Sequence, residues 1–191
     1  MTDRGSIGSG LDALAALASS TALRAGELEP IVAAMRQALA SGGTLFFVGN
    51  GGSAADAQHL ATEYVVRYHA EQHRPLRAVA LTTDTSTLTA AGNDFGFDAV
   101  FARQLEALAR PGDLLVVHST SGTSSNLVAA VTMARRLGVV TVAMLGGTGG
   151  ALRDLVDHAF VVHDTRVNHV QELHLAIQHQ IAAILTRELG G

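Results

Sequence analysis

The chain has 191 residues, 48% of them hydrophobic, and a formal net charge of -4, which suits a folded domain with its own core and gives no basic footprint for DNA or RNA. It contains no cysteine, and all 13 of its basic residues are arginines. A thiolate nucleophile, a Cys-ligated zinc, a Schiff-base or pyridoxal-phosphate lysine and a Walker A phosphate loop are thereby excluded, so any ligand is held by backbone, hydroxyl, Arg, His or carboxylate groups.

Residues 1–9, rich in Gly and Ser, are expected to be disordered. Leu11, Leu14 and Leu17, then Ile31, Met35 and Leu39, recur at helical spacing and predict a helical arm with a break near Gly26 to Pro30. From residue 44 the pattern alternates. TLFFVGN, RAVALTT, DLLVVHS, VVTVAML and HAFVVHD read as short buried strands, with helical stretches such as SAADAQHLATEYVVRY and SNLVAAVTMARRLG between them. Continuous apolar strands alternating with helices predict a five-stranded parallel sheet covered on both faces. A last helix is expected from about Val167 to Leu189, and no linker or repeat divides residues 10–191 into two domains. No apolar run approaches the roughly 20 residues of a membrane span, and MTDRGSIGSG lacks a signal-peptide pattern, so a cytoplasmic location is expected.

In open α/β sheets ligands bind outside the carboxyl ends of the strands, which directs attention to two loops. The first is Gly49-Asn50-Gly51-Gly52-Ser53, where glycines let backbone amides turn toward an anion at a helix N-terminus. It also satisfies a G-x-G-x-x-A dinucleotide pattern, but the nearest strand-end acid, Asp84, comes late for a ribose contact. A plain tight turn capped by Ser53 is the bland alternative. The second loop, Ser119-Thr120-Ser121-Gly122-Thr123-Ser124-Ser125-Asn126, carries more hydroxyls than capping a helix requires. With the amides beside Gly122 they can ring a phosphate without any cation. Two such loops favour a phosphorylated small molecule over a dinucleotide.

GNGGSAADAQH, the later TAAGNDFGF, the STSG-x-S loop and VQELH together resemble the sugar isomerase (SIS) family, more narrowly its phosphoheptose isomerase branch, over nearly the whole chain from about residue 40. The resemblance implies a three-layer SIS fold with an N-terminal helical arm and the interconversion of sedoheptulose 7-phosphate with D-glycero-D-manno-heptose 7-phosphate, or a C2/C3 stereoisomer. It implies that Ser119, Thr120, Ser121 and Ser124 bind the phosphate and that Asn50, Gly51, Gly52, Asn93 and Asp94 are further substrate positions; Ser53 belongs with the first loop. Glu63, Gln171 and His179 match catalytic-site residues, and the zinc ligands of metal-binding members fall at His59, Glu63, Gln171 and His179. Members are usually homotetramers whose sites borrow residues from neighbouring subunits. The family also includes non-catalytic sugar-phosphate-binding regulators. Those lack the Glu and the final His that this chain retains.

The chemistry agrees with the spacing. His59 and Glu63, at i and i+4, share one face of a helix launched by the first loop, a geometry open to a metal or an acid/base pair. An enediol isomerisation needs a carboxylate to move a proton between two carbons, here Glu63, and a second group to serve the oxygens, here His179. Gln171 and His179 are eight residues apart, about 12 Å along a regular helix, a long reach for one ion unless the helix is irregular. His174 between them reads as structural. Asn93 to Gly96 reads either as a turn and cap or, by the resemblance, as contacts to sugar hydroxyls. Arg67 orients substrate or an interface, or is a solvated arginine. His69, His73, His158 and His163 read as strand-edge or surface residues. His118 stands directly before the serine loop, where an apolar or aromatic residue is expected.

Overall fold

The computed structural model describes residues 6–66, 68 and 74–190; Arg67, His69 and His73 lie outside that set. Helix α1, Ile7–Ala22, begins inside the stretch expected to be disordered, because the Ser6 hydroxyl accepts the Ser9 amide and caps the first turn. A 3-10 turn at Ala25–Leu28 then leads into α2, Glu29–Ala40, which carries Pro30 in its first turn, where a missing N–H costs nothing. The expected break in the arm is therefore present, as a tight turn between two helices.

Five strands follow: β1 (Leu45–Gly49), β2 (Ala78–Ala80), β3 (Leu114–Ser119), β4 (Val140–Gly146) and β5 (His158–Val162). All pair in parallel, in the order β2-β1-β3-β4-β5. Every residue of β1 and β3 is buried, the signature of central strands covered on both faces. Between them lie α3 (Gly52–Val65), α4 (Thr85–Phe95), α5 (Val100–Leu108), α6 (Ser125–Arg136) and the short α7 (Leu152–Leu155), and α8 (Val167–Leu189) ends the chain.

Two cores sandwich the sheet. On one face Met35, Leu60, Tyr64, Ile181 and Leu185 of α2, α3 and α8 pack on Phe47, Val116 and Met144; on the other, Phe101, Leu105, Leu127 and Val131 of α5 and α6 pack on Phe46, Val117 and Leu145. Alternate residues of one strand thus feed opposite cores, and burying each such side chain contributes about 1.5–3 kcal/mol. The N-terminal arm joins the first core through Leu14, Leu17 and Ala18.

The strand order decides where a ligand can sit. Chain direction across the sheet reverses between β1 and β3, so α3 leaves β1 toward one face while α6 leaves β3 toward the other. The two loops bound a crevice at this switch point. Asp84 is the N-cap of α4, accepting the Thr87 amide at 3.0 Å and its hydroxyl at 2.7 Å, which holds its carboxyl below the usual range. It is spent on a cap and does not serve as a ribose acid.

Candidate active site

The turn after β1 is built for close approach. Gly51, at φ +55° and ψ -122°, caps α3, a conformation that favours glycine, whereas Ser53 lies inside the first turn and is 3% exposed. A Cβ at Gly49 would stand 2.5 Å from the Ser53 carbonyl oxygen, and one at Gly52 would stand 2.7 Å from the Gln171 amide. The side chain of Gln171 on α8 therefore lies directly over the start of α3.

Across the crevice, the serine loop is held from behind. Ser119 accepts the Gly122 amide at 3.0 Å, and Gly122, at φ +67°, packs so tightly on residues 149 and 150 that a Cβ there would fall 1.9 Å from the Gly149 carbonyl oxygen. Leu152 donates its amide to the Gly122 carbonyl at 3.0 Å. Ser124 is the N-cap of α6 but makes no side-chain cap hydrogen bond, so its hydroxyl and the amides of that helix end remain directed at the crevice. Ser121 accepts from the amide and hydroxyl of Thr123, and Ser125 donates to Asp98.

Between the loops is a cavity of about 60 Å³ lined by Asn50, Ser53, His118, Ser119, Thr120, Ser121, Ser124, Leu127 and Gln171. Among the described residues no arginine borders it, and two helix N-termini open on it. Its volume is far below that of a whole-ligand pocket and suits one small anionic group. Thr120 and Ser121 also border a larger open cavity of about 810 Å³ with Thr148, His163, Asp164 and Arg166. There Arg166 is clamped to Asp164, whose carboxyl it holds down at about 2.

His59, Glu63 and His179 come together between α3 and α8. His59 Nε2 is 2.8 Å from His179 Nε2 and 3.4 Å from Glu63 Oε1, and one ligand atom from each residue lies within 4.8 Å of the others. Tyr68 stacks on His179, with ring centroids 5.6 Å apart. One turn before His59, the Asp56 carboxyl is pushed up by burial, with His59 pulling partly the other way. Two imidazole nitrogens so close need a shared proton or a cation between them, and with the carboxylate they form a donor set that fits zinc and leaves a position open. Gln171 is not part of this group. Helix α8 is regular from end to end, so its eight-residue spacing holds Gln171 about 12 Å up the axis from His179 and beside the cavity.

Asn93 and Asp94 lie in the last turn of α4, exposed, with Asn93 donating to Asp94 at 2.8 Å; Asp94 borders a different cavity with Thr83, Asp84 and Thr87. Neither lines the small cavity beside the serine loop. Of the remaining histidines, His174 is fully buried and donates to the Leu145 carbonyl at 3.1 Å, a structural role as expected. His118 is also fully buried and stacks on Phe47. Both are held neutral: burial lowers His118 to about 3, with His174 adding to it, and lowers His174 to about 4. The residue that motif reading passes over is Asn126, which is 2% exposed and hydrogen-bonded to Asn50. Its presence at the end of a Ser/Thr run is the only local signal it gives.

A family model described as the SIS domain matches residues 11–146. A phosphoheptose isomerase of Akkermansia muciniphila is 48% identical over 168 residues, covering 87% of this chain and 88% of that protein. The solved phosphoheptose isomerase of Neisseria gonorrhoeae is 36% identical with a TM-score of 0.87 and covers 94% of this chain and 96% of its own. That of Francisella tularensis is 34% identical with a TM-score of 0.84, covering 98% of this chain and 100% of its own.

Proposed function

This chain belongs to the SIS domain family, and on that premise we propose that it is an aldose-ketose isomerase converting sedoheptulose 7-phosphate to D-glycero-D-manno-heptose 7-phosphate or a C2/C3 stereoisomer of it. One observation carries the reading. A small cavity that no arginine among the described residues borders faces two helix N-termini, and the helices that border it, α3 and α8, also carry a carboxylate and an imidazole about 15 Å and about 12 Å farther along. In a 7-phosphate heptose the phosphate and the reacting carbons C1 and C2 sit at opposite ends of the chain, so the separation suits it.

Ser119, Thr120, Ser121 and Ser124, with the first amides of α6, bind the phosphate; Asn50, Gly51, Gly52, Ser53 and Gln171 close the other side. Glu63 takes a proton from C1 of the open-chain ketose, and the C–H electron pair becomes the C1=C2 bond of an enediol as His179 gives a proton to O2. Glu63 then returns the proton to C2 while His179 removes the one on O1, leaving the C1 aldehyde. His59, Glu63 and His179 would hold a zinc ion, leaving a position open, and a bound zinc supplies Lewis acidity toward the sugar oxygens. Asn93 and Asp94, which do not line the small cavity of their own chain, serve a neighbouring subunit's sugar hydroxyls in a homotetramer. No helix among the described residues is long and apolar enough to cross a membrane.

The test is incubation of the purified chain with sedoheptulose 7-phosphate, with and without a chelator, reading the product by NMR. An aldoheptose 7-phosphate is expected, with turnover falling about 10²- to 10⁴-fold in Glu63→Gln and His179→Ala while phosphate binding persists. No product from the parent chain, or undiminished turnover in either variant, overturns the assignment.

A further inference from the structure

The parallel ladder between β1 and β3 ends at the pair Gly49 and His118. Beyond it the two chains diverge, one turning into α3 on one face of the sheet and the other into α6 on the opposite face. Asn50 and Asn126 meet in the gap. Asn50 Nδ2 donates to Asn126 Oδ1 at 2.9 Å, and Asn126 Nδ2 donates to Asn50 Oδ1 at 2.8 Å, closing a two-bond amide ring. Among the described residues this ring is the direct side-chain hydrogen-bonded link between the turn 49–53 and the loop 119–126. Its two members differ in position. Asn50 is half-buried and borders the 60 Å³ cavity, whereas Asn126 is 2% exposed, sits in the first turn of α6 and does not border it.

We propose that Asn126 is a positioning residue for the isomerisation: through Asn50 it fixes the distance across the crevice at which the N-termini of α3 and α6 address one anion. The inference rests on the sugar-phosphate reading of this site. A reciprocal amide ring constrains both side-chain planes at once, because rotating one amide alone breaks both bonds and leaves a buried donor and acceptor without partners. Neither side chain is ionised, so the lock sets no net charge beside a phosphate. Without it each loop rests on its own anchors, Gln171 over Gly52 on one side and residues 149 and 150 behind Gly122 on the other, and the gap between them is free to vary. A displacement near 1 Å at a site that works by alignment costs about 10²-fold in rate.

The experiment is a double-mutant cycle on the full-length chain with Asn50→Ala, Asn126→Ala and both together. It reads kcat and KM for sedoheptulose 7-phosphate, affinity for inorganic phosphate by calorimetry, and the melting temperature. Asn126→Ala is expected to lower kcat/KM about 10- to 100-fold and to weaken phosphate binding at least threefold at a temperature where the variant is fully folded. In the Asn50→Ala background the same change is expected to have less than a twofold further effect, because the link is already gone. A purely structural role would lower only the melting temperature. The proposal is overturned if Asn126→Ala leaves both kcat/KM and phosphate affinity within twofold of the parent, or if its effect is as large without Asn50 as with it. Should the parent bind phosphate yet turn over no heptose phosphate, the functional reading falls and the phosphate titrations of the four proteins decide the role of Asn126. A parent that does neither overturns both.

Discussion

Replacing His118 by leucine keeps the volume of a fully buried side chain and removes an imidazole that burial holds neutral in the folded state down to about pH 3. Above pH 6.5 both His118 and His174 are neutral whether the chain is folded or not, and they add no pH dependence. Below it the unfolded chain binds protons at the ordinary value of 6.5, while the folded chain does not until about 3 at His118 and about 4 at His174. Stability therefore falls as pH falls through this window, by roughly 1.36 kcal/mol per pH unit for each imidazole. At pH 5 the loss is about 2 kcal/mol each, or about 4 kcal/mol for the pair, a large share of a typical domain stability of about 5–15 kcal/mol. The figure at pH 5 is set by the unfolded value, provided the folded values stay below 5. Urea unfolding at pH 7 and pH 5, at matched protein concentration, gives the drop for the parent and for His118→Leu. The difference between the two drops cancels the packing change and every other titrating group. We expect the variant's drop to be smaller by about 2 kcal/mol. An equal drop in both proteins would show that His118 is protonated in the folded state at pH 5, and the burial argument would be refuted.

Gly122→Ala forces a side chain into a left-handed backbone with its Cβ 1.9 Å from the Gly149 carbonyl oxygen, so the serine loop has to move. Phosphate affinity by calorimetry should fall at least roughly tenfold, since an oriented anion site tolerates little displacement, and unchanged affinity would mean that the contact with residues 149 and 150 does not shape the loop. At the opposite end of the sheet the Asp113 carboxylate accepts the Thr44 amide at 2.7 Å and the Arg110 amide at 2.8 Å, joining the starts of β1 and β3. Asp113→Ala should destabilise the chain by about 2–4 kcal/mol in urea titrations while kcat stays within twofold, because the substitution lies remote from the crevice. A loss of turnover in fully folded protein would contradict that separation.

Much of the site was legible before any coordinate. Gly51 and Gly52 mark a turn that needs backbone freedom and close approach, and the serine loop carries uncommitted hydroxyls at a helix start. His59 and Glu63 share a face by spacing alone. Local sequence does not supply a position that depends on a partner distant in the chain. Gln171 reads both as a substrate position and as a companion of His179, and the regular helix sets it beside the cavity, two turns from His179. Asn50 reads as a substrate position, and nothing local signals that its amide also pairs with Asn126, 76 residues away. The stretch between β2 and β3 was not divided into α4 and α5, since its Ala- and Thr-rich first half has little apolar periodicity. Arg67, His69 and His73 fall outside the described residues.

Local chemistry by itself determined the elements of this protein and the kinds of ligand open to it. Apolar runs dictate buried strands, the absence of lysine and cysteine limits the chemistry, and glycines and hydroxyls at strand ends point to an anion. Tertiary structure alone decided the strand order, with its switch point between β1 and β3, the meeting of His59 with His179 across 120 residues, and the closure of the crevice by Asn50 and Asn126. The physical reason is that side-chain periodicity reports which face of an element is buried, whereas the identity of the neighbour on that face follows from strand pairing, which the core as a whole selects.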